Sequence, residues 1–169
     1  HFNIAFCYPE ETLITFDAHN DSMPHGARSF DDGYFLSKRK GKTYILGCRI
    51  KSYSNEVINY WPKKINQILE EKLPRNIFLS LEIDVFNSNV TRAHNYAHDS
   101  WLDNAGRFFG LENHLCFERV LDLSKELVKG KNVLGINLSG YNPWLEKPPY
   151  PTSGLLKQYL SSVLSDIKS

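Results

Sequence analysis

Two short acidic segments carry residue types and spacings that suit metal chemistry. The first, Asp17–Asp21 (Asp-Ala-His-Asn-Asp), follows the apolar run Leu13–Phe16, whose length and β-branched residues predict a buried strand. Because side chains alternate along a strand, Asp17, His19 and Asp21 are expected to project together where it ends. Two carboxylates and an imidazole suit manganese, iron or zinc. The alternative interpretation is an ordinary polar turn after a strand.

The second acidic segment ends another predicted strand. The run Asn76–Val85 is largely apolar and carries Glu82 and Asp84 at alternate positions near its end. Burying two acids together is costly unless a cation or hydrogen-bond donors compensate their charge. The second segment therefore strengthens the prediction of a metal site.

The order of predicted elements indicates how these segments are positioned. Apolar runs predict strands near 12–16, 43–48, 76–85 and 132–138, and helical spacing predicts helices within 55–73, within 112–129 and from about residue 152 onward. This alternation predicts a single α/β domain, 1–169, with a mostly parallel sheet covered on both faces. Both acidic segments then lie at the carboxyl ends of strands, where ligand sites of such folds occur.

Composition excludes several other classes of function. A net charge of +1 gives no electrostatic basis for binding nucleic acid or an anionic membrane. No apolar run approaches the ~20 residues that a membrane span requires. The three cysteines are odd in number and widely spaced, which disfavours a disulfide framework and predicts a reducing, cytoplasmic compartment.

The two acidic segments together resemble the motifs of the ureohydrolases, the arginase/agmatinase family. That family carries Asp-Ala-His-x-Asp after one strand and Ser-x-Asp-x-Asp after a later one, and the segments Asp17–Asp21 and Ser80–Asp84 follow the same order. The chain is identified as a short and divergent member. The resemblance implies an arginase-like three-layer α/β/α sandwich, from which the amino-terminal part of the family fold is missing.

The resemblance also implies a reaction and a site. It implies a metal-dependent hydrolase that cleaves a non-peptide C–N bond of an amidine or guanidino compound, with a metal-activated bridging hydroxide as nucleophile. Two divalent ions, expected to be Mn²⁺, would act on a small-molecule substrate in a homo-oligomer. Asp17 and Glu82 would bridge the two ions, and His25 would protonate the leaving nitrogen. The full set of implied metal ligands is His1, Asp17, His19, Asp21, Glu82 and Asp84.

Two departures from the family pattern leave other functions open. Glu82 stands where the family has an aspartate, and Gly140 stands where it has the acid that pairs with the guanidinium of the substrate. Arginine and agmatine are therefore expected to be poor substrates. A non-catalytic binding or assembly subunit is the main alternative, and a deacetylase is a weaker one. His94 and His98 are interpreted as part of a pocket loop, with a second metal site as the alternative.

Overall fold

The described part of the chain contains one parallel sheet and its helices. The structure, a computed structural model, describes residues 8–19, 36, 39–48, 57–86, 115–146 and 151–168. The strands pair in the order β3-β2-β1-β4-β5, and every pair is parallel. Their bounds are β1 (Thr12–Phe16), β2 (Thr43–Leu46), β3 (Val57–Tyr60), β4 (Asn76–Glu82) and β5 (Asn132–Ser139). The helices are α1 (Phe117–Val128), α2 (Thr152–Lys168) and the 3-10 helices Pro62–Glu70, Ile83–Val85 and Pro143–Leu145.

Strand β1 lies at the centre of the sheet and sets the position of the first acidic segment. All five of its residues are buried, as expected for a central strand of a parallel sheet. It pairs with β2 on one side, where Phe16 lies opposite Leu46, and with β4 on the other, where Phe16 lies opposite Leu81. Asp17 and Glu82, which follow Phe16 and Leu81, therefore lie side by side at the same edge of the sheet.

The two faces of the sheet bury different sets of apolar side chains. The described helices contribute to the larger cluster, in which Ile14 and Leu79 of the sheet meet Ile65, Val120 and Tyr159. The opposite face buries a smaller cluster: Leu13, Leu36, Ile45, Cys48, Val57 and Phe78. The predicted α/β class and parallel sheet are confirmed. Within the described ranges, the helices of the predicted sandwich belong to one of its two outer layers.

One strand was not predicted, and one strand ends earlier than expected. The helix expected within 55–73, with Pro62 near its first turn, is present as the 3-10 helix that begins at Pro62, but Val57–Tyr60 before it forms the unpredicted strand β3. The β-branched residues Val57 and Ile58 gain more from pairing with β2 than from a first helical turn. The predicted strand 76–85 ends at Glu82, because Ile83–Val85 turns into a 3-10 helix. This second difference changes the site.

The helix ends agree better with the sequence. Val120, Leu123 and Leu127 of α1 are buried, as their spacing predicted. Gly130 has a φ of 66° just past the helix, the left-handed conformation that glycine favours at this position. None of the helices in the described ranges is long and apolar enough to cross a membrane.

A buried hydrogen bond between Ser124 and Tyr159 joins α1 to α2. Their hydroxyl oxygens lie 2.9 Å apart, and Ser124 Oγ donates to the carbonyl oxygen of Val120 at 2.7 Å, so the Tyr159 hydroxyl is the donor of the pair. Both side chains are fully buried, and this burial raises the pKa of Tyr159. The hydroxyl of Tyr159 thus depends on Ser124 as its acceptor.

We expect Ser124→Ala to lower the free energy of unfolding by about 1–3 kcal/mol, because it leaves the buried Tyr159 hydroxyl without this acceptor. In a Tyr159→Phe background the same change should cost less than about 1 kcal/mol, since no donor is left unsatisfied. Urea denaturation of the four proteins measures both values. An equal cost in the two backgrounds would contradict the assignment.

Glu146 connects the turn after β5 to the first residues of α2. Its Oε1 accepts hydrogen bonds from the backbone N–H and the hydroxyl of Ser153, at 2.8 and 3.0 Å, and its Oε2 accepts from the Tyr141 hydroxyl. The bond from Tyr141, followed by that from the Ser153 backbone, lowers the pKa of Glu146. The charged form of this carboxyl therefore favours the folded state.

The contribution of Glu146 should depend on pH. Because its pKa is lower in the folded chain than in the unfolded one, its stabilisation is present above the ordinary Glu value of about 4.3 and is lost as the pH falls below it. Glu146→Gln should therefore lower the free energy of unfolding near pH 7 and have a smaller effect near pH 4. Urea denaturation at both values tests this. The exposed Glu126, paired with Lys129, offers a matched control, for which Glu126→Gln should change stability little at either pH.

Candidate metal centre

Asp17 is the first residue after β1, and a tight turn fixes its carboxylate. The side chain is 1% exposed, and Oδ1 accepts a hydrogen bond of 2.7 Å from the backbone N–H of His19. An Asp that bonds to the backbone two residues later is a common way for a chain to turn. The polar turn and the predicted ligand segment are therefore the same structure, since the turn orients the acid.

Asp84 reaches the same place from β4. It lies in the 3-10 helix Ile83–Val85 and is 3% exposed. Its Oδ1 accepts from the backbone N–H of Ala18 at 3.4 Å, across 66 residues of sequence. The parallel pairing of β1 with β4 makes this contact available, because both strands end at the same edge of the sheet.

His19 completes a group of three side chains. Its Nδ1 lies 2.7 Å from Asp84 Oδ2 and 3.7 Å from Asp17 Oδ1. One ligand atom from each residue lies within 4.8 Å of the others. The two acids are buried, whereas the imidazole is 36% exposed, so the group opens to solvent on the side of His19.

The chemistry of this donor set fits a divalent cation. Two buried carboxylates repel each other, and their desolvation is costly unless positive charge compensates. A cation between them supplies that charge, and carboxylate oxygens with an imidazole nitrogen suit manganese, iron or zinc. Within the described ranges, Asp17, His19 and Asp84 are the group with this geometry.

Glu82, predicted as a bridging ligand, is not part of this group. Its carboxylate accepts a hydrogen bond from Ser139 Oγ on the neighbouring strand β5. The prediction assumed that Glu82 and Asp84 alternate along one strand, but the strand ends at Glu82 and Asp84 turns away in the 3-10 helix. A metal-binding role for Glu82 stays a prediction. The other predicted site residues lie outside the described residues: His1, Asp21 and His25, together with His94 and His98.

Sequence reasoning did not identify Ser139 as a neighbour of the site. The register of β4 and β5 places Ser139 opposite Glu82 and Asn137 opposite Ser80. The sequence contained a signal, because polar residues alternate with apolar ones near the ends of the segments that form β4 and β5. The sequence alone does not give the register of the two strands, and so it does not show which polar residues lie opposite each other.

Comparison with solved structures places this fold among known proteins. The chain is similar to formimidoylglutamase from Bacillus subtilis, with a TM-score of 0.68 and 20% identity over 98% of this chain and 56% of that one. Proclavaminate amidinohydrolase from Streptomyces clavuligerus gives a TM-score of 0.71 at 16% identity over 97% and 58%. Arginase from Bacillus caldovelox gives 0.64 at 14% identity over 95% and 62%.

These similarities concern structure and not sequence. No protein-family model and no curated protein sequence matches the chain. The chain spans little more than half the length of the first two solved structures named above. The arginase-like fold predicted from the two acidic motifs is confirmed, and the chain adopts part of the ureohydrolase fold.

Proposed function

We propose that the chain is a metal-dependent hydrolase that cleaves a non-peptide C–N bond of an amidine or guanidino compound. The observation that carries the proposal is the convergence of Asp17, His19 and Asp84 where β1 and β4 end. The names of similar structures, including an amidinohydrolase, a formimidoylglutamase and an arginase, support this class of substrate.

Asp17 and Asp84 hold the cation, and the backbone orients both acids. The N–H of His19 donates to Asp17, and the N–H of Ala18 donates to Asp84, so the backbone restricts the orientation of both carboxylates before binding. Such preorganisation lowers the free-energy cost of assembling the site. The chemistry that a divalent cation supplies when bound here is Lewis acidity, which activates water for attack on carbon near neutral pH.

His19 provides the third ligand and lies on the open side of the site. Its Nδ1 faces both acids, so binding a cation through this atom requires the neutral imidazole. Water and a small substrate can approach from the exposed side of the ring. The attacking water adds to the carbon of the substrate, the C–N bond breaks, and the departing nitrogen takes up a proton.

The remaining features of the reaction come from residues outside the described ranges. His25 donates the proton to the leaving nitrogen, and His1 and Asp21 complete the ligands of a second ion, which we expect, like the first, to be Mn²⁺. We further propose a small-molecule substrate, a cytoplasmic location and a homo-oligomer. The cytoplasmic location rests on the odd number and wide spacing of the three cysteines. The other proposals rest on the resemblance of the two acidic motifs to those of the ureohydrolases.

A non-catalytic binding or assembly subunit is the second candidate. The observation that favours it is the position of Glu82, whose carboxylate is bonded to Ser139 and lies outside the group of three ligands. Three ligands suffice for one ion, and a two-ion mechanism requires more. The two functions differ in turnover and share the ability to bind metal.

Metal binding provides the first test. We expect the protein to take up Mn²⁺, and Asp17→Asn and Asp84→Asn each to weaken binding at least about 100-fold, because a lost ligand costs more than the 10–100-fold of a lost outer partner. Isothermal titration calorimetry measures the affinity. Mn²⁺ should also raise the melting temperature of the unsubstituted protein and not that of Asp17→Asn.

Glu126→Gln removes the same charge from an exposed position of α1 and serves as the control. It should bind Mn²⁺ as the unsubstituted protein does. Absence of Mn²⁺ uptake by the unsubstituted protein, or full affinity in Asp17→Asn and Asp84→Asn, would refute the metal centre.

Turnover provides the second test and separates the two candidate functions. With Mn²⁺, we expect the protein to release ammonia, urea or an amine from at least one member of a panel of amidines and guanidino compounds. Asp84→Asn should abolish that release, and Glu126→Gln should retain it. Tight Mn²⁺ binding without release from any compound would favour the non-catalytic subunit.

A further inference from the structure

One face of β4 and β5 carries a row of polar side chains that ends beside the candidate metal centre. The strand register pairs Ser80 with Asn137 and Glu82 with Ser139. Because residues two apart in a strand share a face, all four lie on the same side of the sheet. The other side of these strands carries apolar residues that join the core: Leu79, Leu81, Ile136 and Leu138.

Hydrogen bonds along this row run toward Glu82. Asn137 Nδ2 donates to Ser80 Oγ at 3.0 Å and to Ser139 Oγ at 3.4 Å. Ser139 Oγ in turn donates to Glu82 Oε2. Since a hydroxyl has one proton, Ser139 accepts from Asn137 and directs its own hydrogen to the carboxylate. The row therefore fixes the carboxylate on the side of β5.

Gly140 provides the space that this orientation of Glu82 requires. The glycine follows β5 with a φ of 79°. A Cβ at this position would overlap Glu82 Oε1 and lie 2.9 Å from Glu82 Cδ. One carboxylate oxygen is thus bonded to Ser139 and the other fills the volume that a side chain at 140 would need. Gly140 itself has no side chain to supply a carboxylate, and the structure places the carboxylate of Glu82 next to this glycine.

Glu82 lies close enough to the candidate metal centre for one small molecule to contact both the Glu82 carboxylate and the metal centre. Asp17 and Glu82 each come one residue after the paired residues Phe16 and Leu81. Their backbones are therefore on adjacent strands, which lie about 4.8 Å apart. The Glu82 carboxylate accepts a hydrogen bond from Ser139 of β5, whereas the Asp84 carboxylate lies in the group with Asp17 and His19. The side chain of Glu82 is half-buried, so part of it can be reached by a small molecule.

We infer that Glu82 binds the cationic N–H groups of the substrate, an amidinium or guanidinium, and that it is not a metal ligand. The inference rests on the proposed function, since it assumes an amidine or guanidino substrate. Carboxylates bind planar N–H cations through charge-assisted hydrogen bonds with defined geometry. Glu82 thus selects cationic substrates and orients the C–N bond beside Asp17, His19 and Asp84.

The test compares a charged fragment with an uncharged one of the same shape. Acetamidinium carries the planar N–H cation, and acetamide replaces it with a neutral amide. We expect the protein to bind acetamidinium about 10–100-fold more tightly than acetamide, the range that a charge-assisted hydrogen bond supplies. Glu82→Gln should remove this preference. NMR titration, with and without Mn²⁺, measures both ligands, and calorimetry measures the affinity for Mn²⁺.

Two further variants separate the role of Glu82 from loss of structure. Ser139→Ala removes the donor to the carboxylate and keeps its charge, so the preference for acetamidinium should fall severalfold. Glu126→Gln, with the same charge change as Glu82→Gln at an exposed site, should keep the full preference. Ser139→Ala and Glu126→Gln should keep the affinity for Mn²⁺ within about twofold of that of the unsubstituted protein. Glu82→Gln should weaken it less than about tenfold, because it removes a neighbouring negative charge and no ligand.

The outcomes distinguish this inference from the proposed function. A tenfold or larger loss of Mn²⁺ affinity in Glu82→Gln would make Glu82 a metal ligand and overturn the inference. So would equal binding of the two fragments by the unsubstituted protein, or a preference that survives in Glu82→Gln. Failure of the unsubstituted protein to bind Mn²⁺ would instead refute the proposed metal centre, and the titrations without Mn²⁺ would still decide the role of Glu82. If Glu82→Gln does not fold, Ser139→Ala decides: a severalfold fall in the preference supports the inference, and an unchanged preference overturns it.

Discussion

The close approach of two buried carboxylates, Asp17 and Asp84, is the constraint on which the rest of the site depends. Each is 3% exposed or less, and both lie within a group whose ligand atoms are less than 5 Å apart. Such a pair is unfavourable in isolation. Here the backbone N–H groups of Ala18 and His19 donate to the two carboxylates, and the His19 imidazole lies 2.7 Å from Asp84 Oδ2. Cation binding would make the electrostatic free energy of the two carboxylates favourable, because each acid would then be attracted to the positive charge between them.

The pairing of β1 with β4 converts sequence separation into proximity. The two acids are far apart in the chain, yet the register that sets Phe16 opposite Leu81 brings the segments after them together. Burial enforces this register, since a shift by one residue would move Ile14 and Phe16 out of the larger apolar cluster. The core of the sheet thus specifies where the side chains of the candidate metal centre lie.

The sequence predicted those parts of the structure that local patterns encode. The apolar run of β1 and the buried stripe of α1 show their secondary structure in their own residues. Val57–Tyr60 does not, since four residues before a proline are as compatible with a helix start as with a strand. Only pairing with β2 decides between them, and that interaction is not visible in the segment alone.

The end of β4 was harder to predict for a related reason, and it matters more for function. Ile83 and Val85 continue the apolar alternation and are both fully buried, so periodicity extends the strand through them. Burial alone does not distinguish a strand from a 3-10 turn. The turn at Ile83 separates two acids that alternation would have placed together, sending Asp84 toward His19 and leaving Glu82 beside Ser139.

The glycine at 140 shows why substitutions in such a site are best interpreted in pairs. The ureohydrolase motifs that the two segments resemble have an acid where Gly140 stands and an aspartate where Glu82 stands. In the structure the two are complementary, because the longer side chain occupies the volume that the glycine leaves open. An acid at position 140 would collide with Glu82 in this orientation, and an aspartate at position 82 would be too short to fill the same space. A carboxylate therefore occupies the space beside residue 140, and it comes from the end of β4 and not from residue 140 itself.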